Sequence, residues 1–358
     1  MSNRDFSELK KIIEINSWTK NKNGVDINGE IFGEWIKDLG LKKIIYHRDN
    51  IGNHLHFIST KQDGKKLLLL GHLDTVFPPD SFEGFTEDDK WIYGPGVCDM
   101  KGGNFVALEA LRESYKKYKE IYNIDFLLVS DEETGSDDSK IISSKLAKDY
   151  DYCMVFEAAG INDEVVIARK GVGTFFVDIT GKASHAGNHY SDGADANLEA
   201  SYTIQSLIEL TNLKKGTTVN VGKIEGGIGA NTISPHAKLI FELRYTDTKE
   251  RDRVLTAIDN IISTPKVKGT LSTLSGGIQR DVMQPSKAQE DFIIKINKLC
   301  NVSLLTEKRG GVSDANIISS QGVITIDGFG PYGDGDHTVN ERASKKTFDS
   351  RIKLVTNI

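Results

Sequence analysis

The 358-residue sequence predicts an α/β fold: a mixed, helix-flanked sheet interrupted by an inserted α+β segment. Three textures predict it. Up to about residue 170, strand-like apolar runs alternate with helical periodicity. From 171 to 282, apolar and polar positions alternate singly, as in a sheet with one face exposed. After 283 the α/β texture returns. The expected organisation is therefore one discontinuous domain, 1–170 with 283–358, and an inserted domain, 171–282.

The elements follow in order. Phe6, Leu9, Ile12 and Ile13 lie at helical spacing, as do Ile31, Trp35, Ile36 and Leu39, a run that stops at Gly40. Short strands are expected at 43–47 and 55–59. The run Leu67-Leu68-Leu69-Leu70, leading into Gly71-His72-Leu73-Asp74, suits a strand buried on both faces. A Gly-rich loop, 94–103, precedes a helix carrying Phe105, Leu108, Leu111 and Tyr115. Further strands are expected at 124–129 and 152–156, with a helix at 140–146 between them. In the inserted segment Phe175, Val177 and Ile179, and later Leu239, Phe241, Leu243 and Tyr245, mark strands, with helices near 195–210 and 254–262. A helix at 287–300 and a strand at 323–326 close the chain's α/β part.

Composition narrows the function. With 38% apolar and 27% charged residues, the chain can bury two cores. Its net charge is -6 and its Lys and Arg are dispersed, which argues against nucleic acid as a partner. No apolar run approaches the roughly 20 residues of a membrane helix, and the opening Met1-Ser2-Asn3-Arg4-Asp5-Phe6 does not read as a signal peptide. A cytoplasmic protein is expected. Cys98, Cys153 and Cys300 have neither disulfide nor zinc-knuckle spacing, and Cys98 reads as a small packed residue.

The chemistry-bearing residues gather where strands end. Ligands of α/β sheets collect beyond the carboxyl ends of strands, and three expected strands run out into His72 and Asp74, Glu132 and Glu133, and Glu157. Of His72 and Asp74, one can ligate a metal while the other orients it. Asp99 and His337 lie in Gly-rich loops that let backbone approach a site. Mixed imidazole and carboxylate donors suit zinc and tolerate cobalt or manganese. Two divalent ions carry four positive charges against three from Asp99, Glu133 and Glu157, and a bound hydroxide completes neutrality. With Asp99 bridging, each ion keeps one His and one terminal carboxylate. Adjacent residues at a strand end diverge, so Glu132 is left as the general base that deprotonates a metal-bound water and then protonates the leaving amine. Singly, each of these motifs is an ordinary hydrogen bond or a solvated loop; their recurrence at successive strand ends is what points to a site.

Five segments carry a family resemblance: Gly71 to Pro78, Gly94 to Gly103, Ser130 to Ser136, Gly181 to Gly187 and Gly310 to Ala315. They resemble the zinc exopeptidase family of aminoacylase, acetylornithine deacetylase, succinyl-diaminopimelate desuccinylase and, in particular, bacterial glutamate carboxypeptidase-like metallopeptidases. The resemblance implies His72 and Glu157 on one zinc, Glu133 and His337 on the other, Asp99 between them, Asp74 supporting His72 and Glu132 as base. It implies that the insertion is a lid that dimerises, that His185 stabilises the oxyanion, and that Asn231 and Arg244 bind substrate, although an ion pair with Glu242 competes for Arg244. His47, His54, His56 and His236 read as structural or surface residues, with no acids near His54 or His56 and His236 in a turn.

The expected activity is hydrolysis of an amide or peptide bond in a small N-acyl amino acid or short peptide, by a homodimer that uses neither nucleic acid nor membrane. The alternatives are an N-acyl amino acid deacylase of acetylornithine or succinyl-diaminopimelate type, and a non-catalytic metal-binding scaffold.

Overall fold

The computed structural model describes residues 4–358. The chain divides into two compact units. One comprises the chain up to Ala168 with Pro285–Arg309 and Ser313–Ile358; the other comprises Arg169–Gln284 with Gly310–Val312.

The first unit is built on a six-stranded mixed sheet, in the order Lys42–Tyr46, His54–Ile58, Ile124–Val129, Leu67–His72, Tyr152–Val155, Ile324–Ile326. The last four run parallel and the first two pair antiparallel. Leu68 through His72 are all buried. Because successive side chains leave opposite faces of a strand, both faces of this strand must be covered. Leu69, Phe126 and Phe156 join one apolar cluster with Phe105, Leu108 and Leu111 of the helix Lys101–Tyr118. That helix comes very close to the sheet: a Cβ on Gly103 would lie 1.8 Å from the carbonyl oxygen of Phe156, and one on Gly71 would lie 1.9 Å from Asn104 Oδ1.

A second sheet in this unit was not expected from the sequence. The strands Gly333–Asp334, Arg342–Ser344, Trp91–Tyr93 and Thr86–Glu87 pair antiparallel in that order. Pairing of Arg342 with Tyr93 sets the loop after Tyr93 beside the loop before Arg342. These are the loops of Asp99 and His337.

The second unit has an antiparallel sheet ordered Thr218–Gly226, His236–Tyr245, Gly171–Thr180, Leu271–Arg280. Phe175, Val177 and Ile179 share one buried cluster with Leu239, Phe241 and Leu243 and with residues of the helices Ala196–Ile208 and Thr248–Ser263. The strand Leu271–Arg280 escaped notice because it is largely exposed and contains Gly276-Gly277. His236, expected in a turn, instead begins a strand.

His54 and His56 do have acids nearby, contrary to expectation, because their partners are remote in sequence. His54 Nε2 is 3.0 Å from Asp138 Oδ1. His56 Nε2 is 2.9 Å from the Tyr150 hydroxyl, which donates to Asp125 Oδ2 at 2.6 Å. Burial outweighs the Asp125 charge and lowers the His56 pKa below its ordinary value of 6.5.

Two outcomes follow. Gly103→Ala should cost about 1–3 kcal/mol by overpacking, read as a lower urea midpoint; an unchanged midpoint would show that the close approach does not constrain the fold. The neutral His56 ring contributes fully above the unfolded value of 6.5, and that contribution is lost as pH falls toward the lower folded pKa. Chelator-treated protein should therefore lose urea stability between pH 7.5 and 5.5, and His56→Gln should flatten that loss; an equal slope in both proteins refutes the assignment.

Candidate metal centre and active site

Three adjacent parallel strands release their chains at one edge of the large sheet, and each release leads into candidate site residues. His72 is the last residue of its strand, level with Val129 on the neighbouring one. Its Nδ1 lies 3.0 Å from the Asp74 carbonyl oxygen and 3.4 Å from Asp74 Oδ1, so Asp74 orients the ring through both groups. That leaves Nε2 facing Asp99 Oδ1 at 3.1 Å and Glu157 Oε1 at 3.8 Å. Glu157 comes two residues after its strand ends at Val155.

Glu132 and Glu133 do not sit at a strand terminus as expected. They begin a single 3-10 turn, Glu132–Thr134. The reason is Asp74: its Oδ1 accepts the Glu132 N–H at 3.3 Å and its Oδ2 accepts the Glu133 N–H at 3.2 Å, besides the Thr19 hydroxyl at 2.7 Å. A buried carboxylate thus satisfies the orphan amides at the start of the turn. Glu133 Oε2 reaches His337 Nε2 at 3.1 Å. Glu132 is buried, and its charge acts on both Glu133 and Glu157, so it lies beside the same cluster.

Asp99 joins the two groups. While Oδ1 faces His72, Oδ2 faces His337 Nε2 at 3.3 Å. His72, Asp99 and Glu157 form one cluster with ligand atoms within 4.8 Å of one another, and Asp99, Glu133 and His337 form a second. His337 adopts a left-handed backbone (φ 60°), which is rare for a residue with a side chain and is typical of strained functional positions.

Electrostatics test whether this set fits divalent cations. Burial, reinforced by the Asp99 charge, pushes the Glu133 and Glu157 carboxyls well above their usual range. At Asp99 burial acts the same way, but hydrogen bonds from His337 and His72 outweigh it and hold the group far below. Hydrogen bonds to Asp99 and Glu133 raise His337 to about 11. Three carboxylates in a low-dielectric pocket draw whatever positive charge is within reach, and imidazole nitrogens alternating with carboxylate oxygens are donors for zinc-like ions. The set fits.

Sequence reasoning missed Glu341. It is buried, and its carboxylate accepts the backbone N–H groups of Gly96, Cys98 and Asp99 at 2.9, 3.0 and 3.1 Å. Burial pushes it up to about 7 against the opposing effect of those donors. Its only sequence signal was its place four residues after His337. Cys98 is a buried thiol whose pKa is raised by burial and by Glu341, consistent with a packed residue.

The other residues that the sequence singled out, His185, Asn231 and Arg244, lie in the second unit. His185 Nδ1 accepts the N–H groups of Gly187 and Asn188, both at 3.1 Å, which leaves the ring proton on Nε2. Asn231 is its neighbour, since its carbonyl accepts from Ala186 at 3.0 Å and Thr232 bridges to His185. Arg244 is already paired: Nε and Nη2 donate to Glu242 at 2.7 and 3.2 Å, and Nη1 donates to the Gly310 carbonyl at 3.0 Å. His189 is exposed, 3.4 Å from Asp192.

Comparison with known proteins agrees with this architecture. The model of peptidase family M20/M25/M40 matches residues 68–358. Carboxypeptidase G2 of Pseudomonas sp. (strain RS-16) is 28% identical over 346 residues, covering 92% of this chain and 82% of that protein. Succinyl-diaminopimelate desuccinylase of Wolbachia pipientis subsp. Culex pipiens (strain wPip) is 27% identical, covering 78% and 74%. Among solved structures, aminopeptidase PepT from Bacillus cereus ATCC 10987 superposes with a TM-score of 0.79 at 21% identity, covering 98% of this chain and 95% of that one.

Proposed function

Because the chain belongs to peptidase family M20/M25/M40, and so is a metal-dependent hydrolase, we propose that it cleaves an amide or peptide bond in a small N-acyl amino acid or short peptide at a dinuclear zinc site. One observation carries this reading: Asp99 turns one carboxylate oxygen to each of two His-and-carboxylate groups. His72 and Glu157 would hold one ion, Glu133 and His337 the other, and Asp99 both. The donor set also admits cobalt or manganese.

Ions held there supply Lewis acidity that brings the pKa of water toward neutrality and polarises the scissile carbonyl. The chain's own groups do the rest. Glu132 takes a proton from the attacking water as its oxygen bonds to the carbonyl carbon, and gives it to the nitrogen as the carbon–nitrogen bond breaks. Asp74 holds the His72 ring and the Glu132 and Glu133 amides in place. His185 donates through Nε2–H to the carbonyl oxygen as it gains charge. Asn231, beside His185, binds substrate. Arg244 receives a substrate carboxylate by exchanging it for Glu242.

An N-acyl amino acid deacylase is the second reading, favoured by the desuccinylase relatives. Glu132 beside the ligand set argues against a non-catalytic scaffold. The second unit has two edge strands, and Ile224 and Leu271 lie exposed on them, which supports a homodimer made through this unit. Sedimentation at twice the 39.6 kDa chain mass is the expected result, and a monomer at micromolar concentration removes that part.

Turnover of a panel of N-acyl amino acids and dipeptides by the zinc-loaded protein tests the substrate class. Glu132→Gln should lower kcat by about 10²–10⁴-fold with zinc still bound. Full activity in that variant would overturn the base assignment, and a wild-type chain that takes up no divalent ion would overturn the whole reading.

A further inference from the structure

The loop that carries Asp99 has little regular structure to define it. Residues 94–100 lie between the strand Trp91–Tyr93 and the helix Lys101–Tyr118, and form no ladder of their own. Yet a carboxylate that serves two groups at once must be aimed, and its aim is set by its backbone. The backbone is held from across the small sheet. Gly94 N–H donates to the Glu341 carbonyl at 3.3 Å, extending the pairing of Tyr93 with Arg342. Beyond it the Glu341 side chain turns inward. Oε2 accepts from Gly96, while Oε1 accepts from both Cys98 and Asp99. Glu341 is 1% exposed and lies in the same loop as His337.

We infer that Glu341 is a positioning residue that fixes the Asp99 carboxylate for both metal positions, and so couples the His337 loop to the shared ligand. The inference rests on the ligand set proposed above. A carboxylate accepts on both oxygens, whereas a glutamine at 341 has one acceptor and turns an NH₂ toward an N–H donor. Asp99 would then lose its fixed direction without losing any ligand atom. Second-layer partners of this kind are worth about 10–100-fold in metal affinity.

The test is calorimetric titration of zinc into chelator-treated wild type, Glu341→Gln and Glu341→Asp, with cobalt absorption spectra of each. Wild type should take two zinc ions per chain. Glu341→Gln should bind zinc about 10–100-fold more weakly, shift the cobalt bands, and lower kcat with little change in KM. Glu341→Asp keeps the charge but is one methylene shorter, so it should lose less. Wild-type zinc affinity and an unshifted cobalt spectrum in Glu341→Gln overturn the inference. If that variant does not unfold cooperatively, the same result in Glu341→Asp overturns it. A wild-type chain that does not bind two zinc ions removes the ligand assignment, and this inference with it.

Discussion

The Asp99 carboxylate, held between two imidazoles, is the interaction on which the rest of the first unit depends. Two buried carboxylates and two rings converge on it, at 3.1 Å on one side and 3.3 Å on the other. Like charges this close repel strongly where water is scarce. The fold must therefore force them together. It does so by ending three neighbouring strands at one edge, so that His72, the Glu132-Glu133 turn and Glu157 emerge side by side whatever their mutual repulsion. The sheet's apolar faces, buried against helices, supply the stabilisation that offsets this local cost.

Around the centre, two more carboxylates are spent on backbone amides. Asp74 accepts from Glu132 and Glu133, and Glu341 from Gly96, Cys98 and Asp99. Each anion is stabilised by the N–H groups it organises. Both segments so organised are short and irregular, and both carry members of the His and carboxylate clusters. The regular elements bring the segments to the place; the buried acids give them their shape.

Much of this was legible in the sequence, and what was not has a physical reason. Leu67 to Leu70 and Phe126 to Val129 are apolar runs, so their ends, and the residues just beyond, could be located. The inserted antiparallel sheet was legible from the alternation of Phe175, Val177 and Ile179. The small sheet was not, because strands of two or three residues carry no periodicity. Without it, nothing marked Glu341 as more than a charged loop residue. The 3-10 turn at Glu132 was hidden for a similar reason, since its cause is a side chain 58 residues earlier. Asp138 and Asp125, the partners of His54 and His56, are likewise distant in sequence, and so was the second claim on Arg244, from the Gly310 carbonyl.

The two halves of the centre differ in how they are held, and the difference bears on the role of the small sheet. His72 and Glu157 are buried at the edge of the large sheet, where neighbouring strands restrict them. His337 has a side chain 57% exposed, on a loop with left-handed backbone at both Gly335 and His337. A strained, exposed loop would ordinarily be the least stable part of such a site. Here it is closed at its base by pairing of Gly333 with Ala343 and Asp334 with Arg342, and bound to the Asp99 loop through Glu341. The small sheet therefore does for His337 what the large sheet does for His72. Because both sheets lead to Asp99, the one carboxylate that faces both His72 and His337 joins the residues each sheet positions.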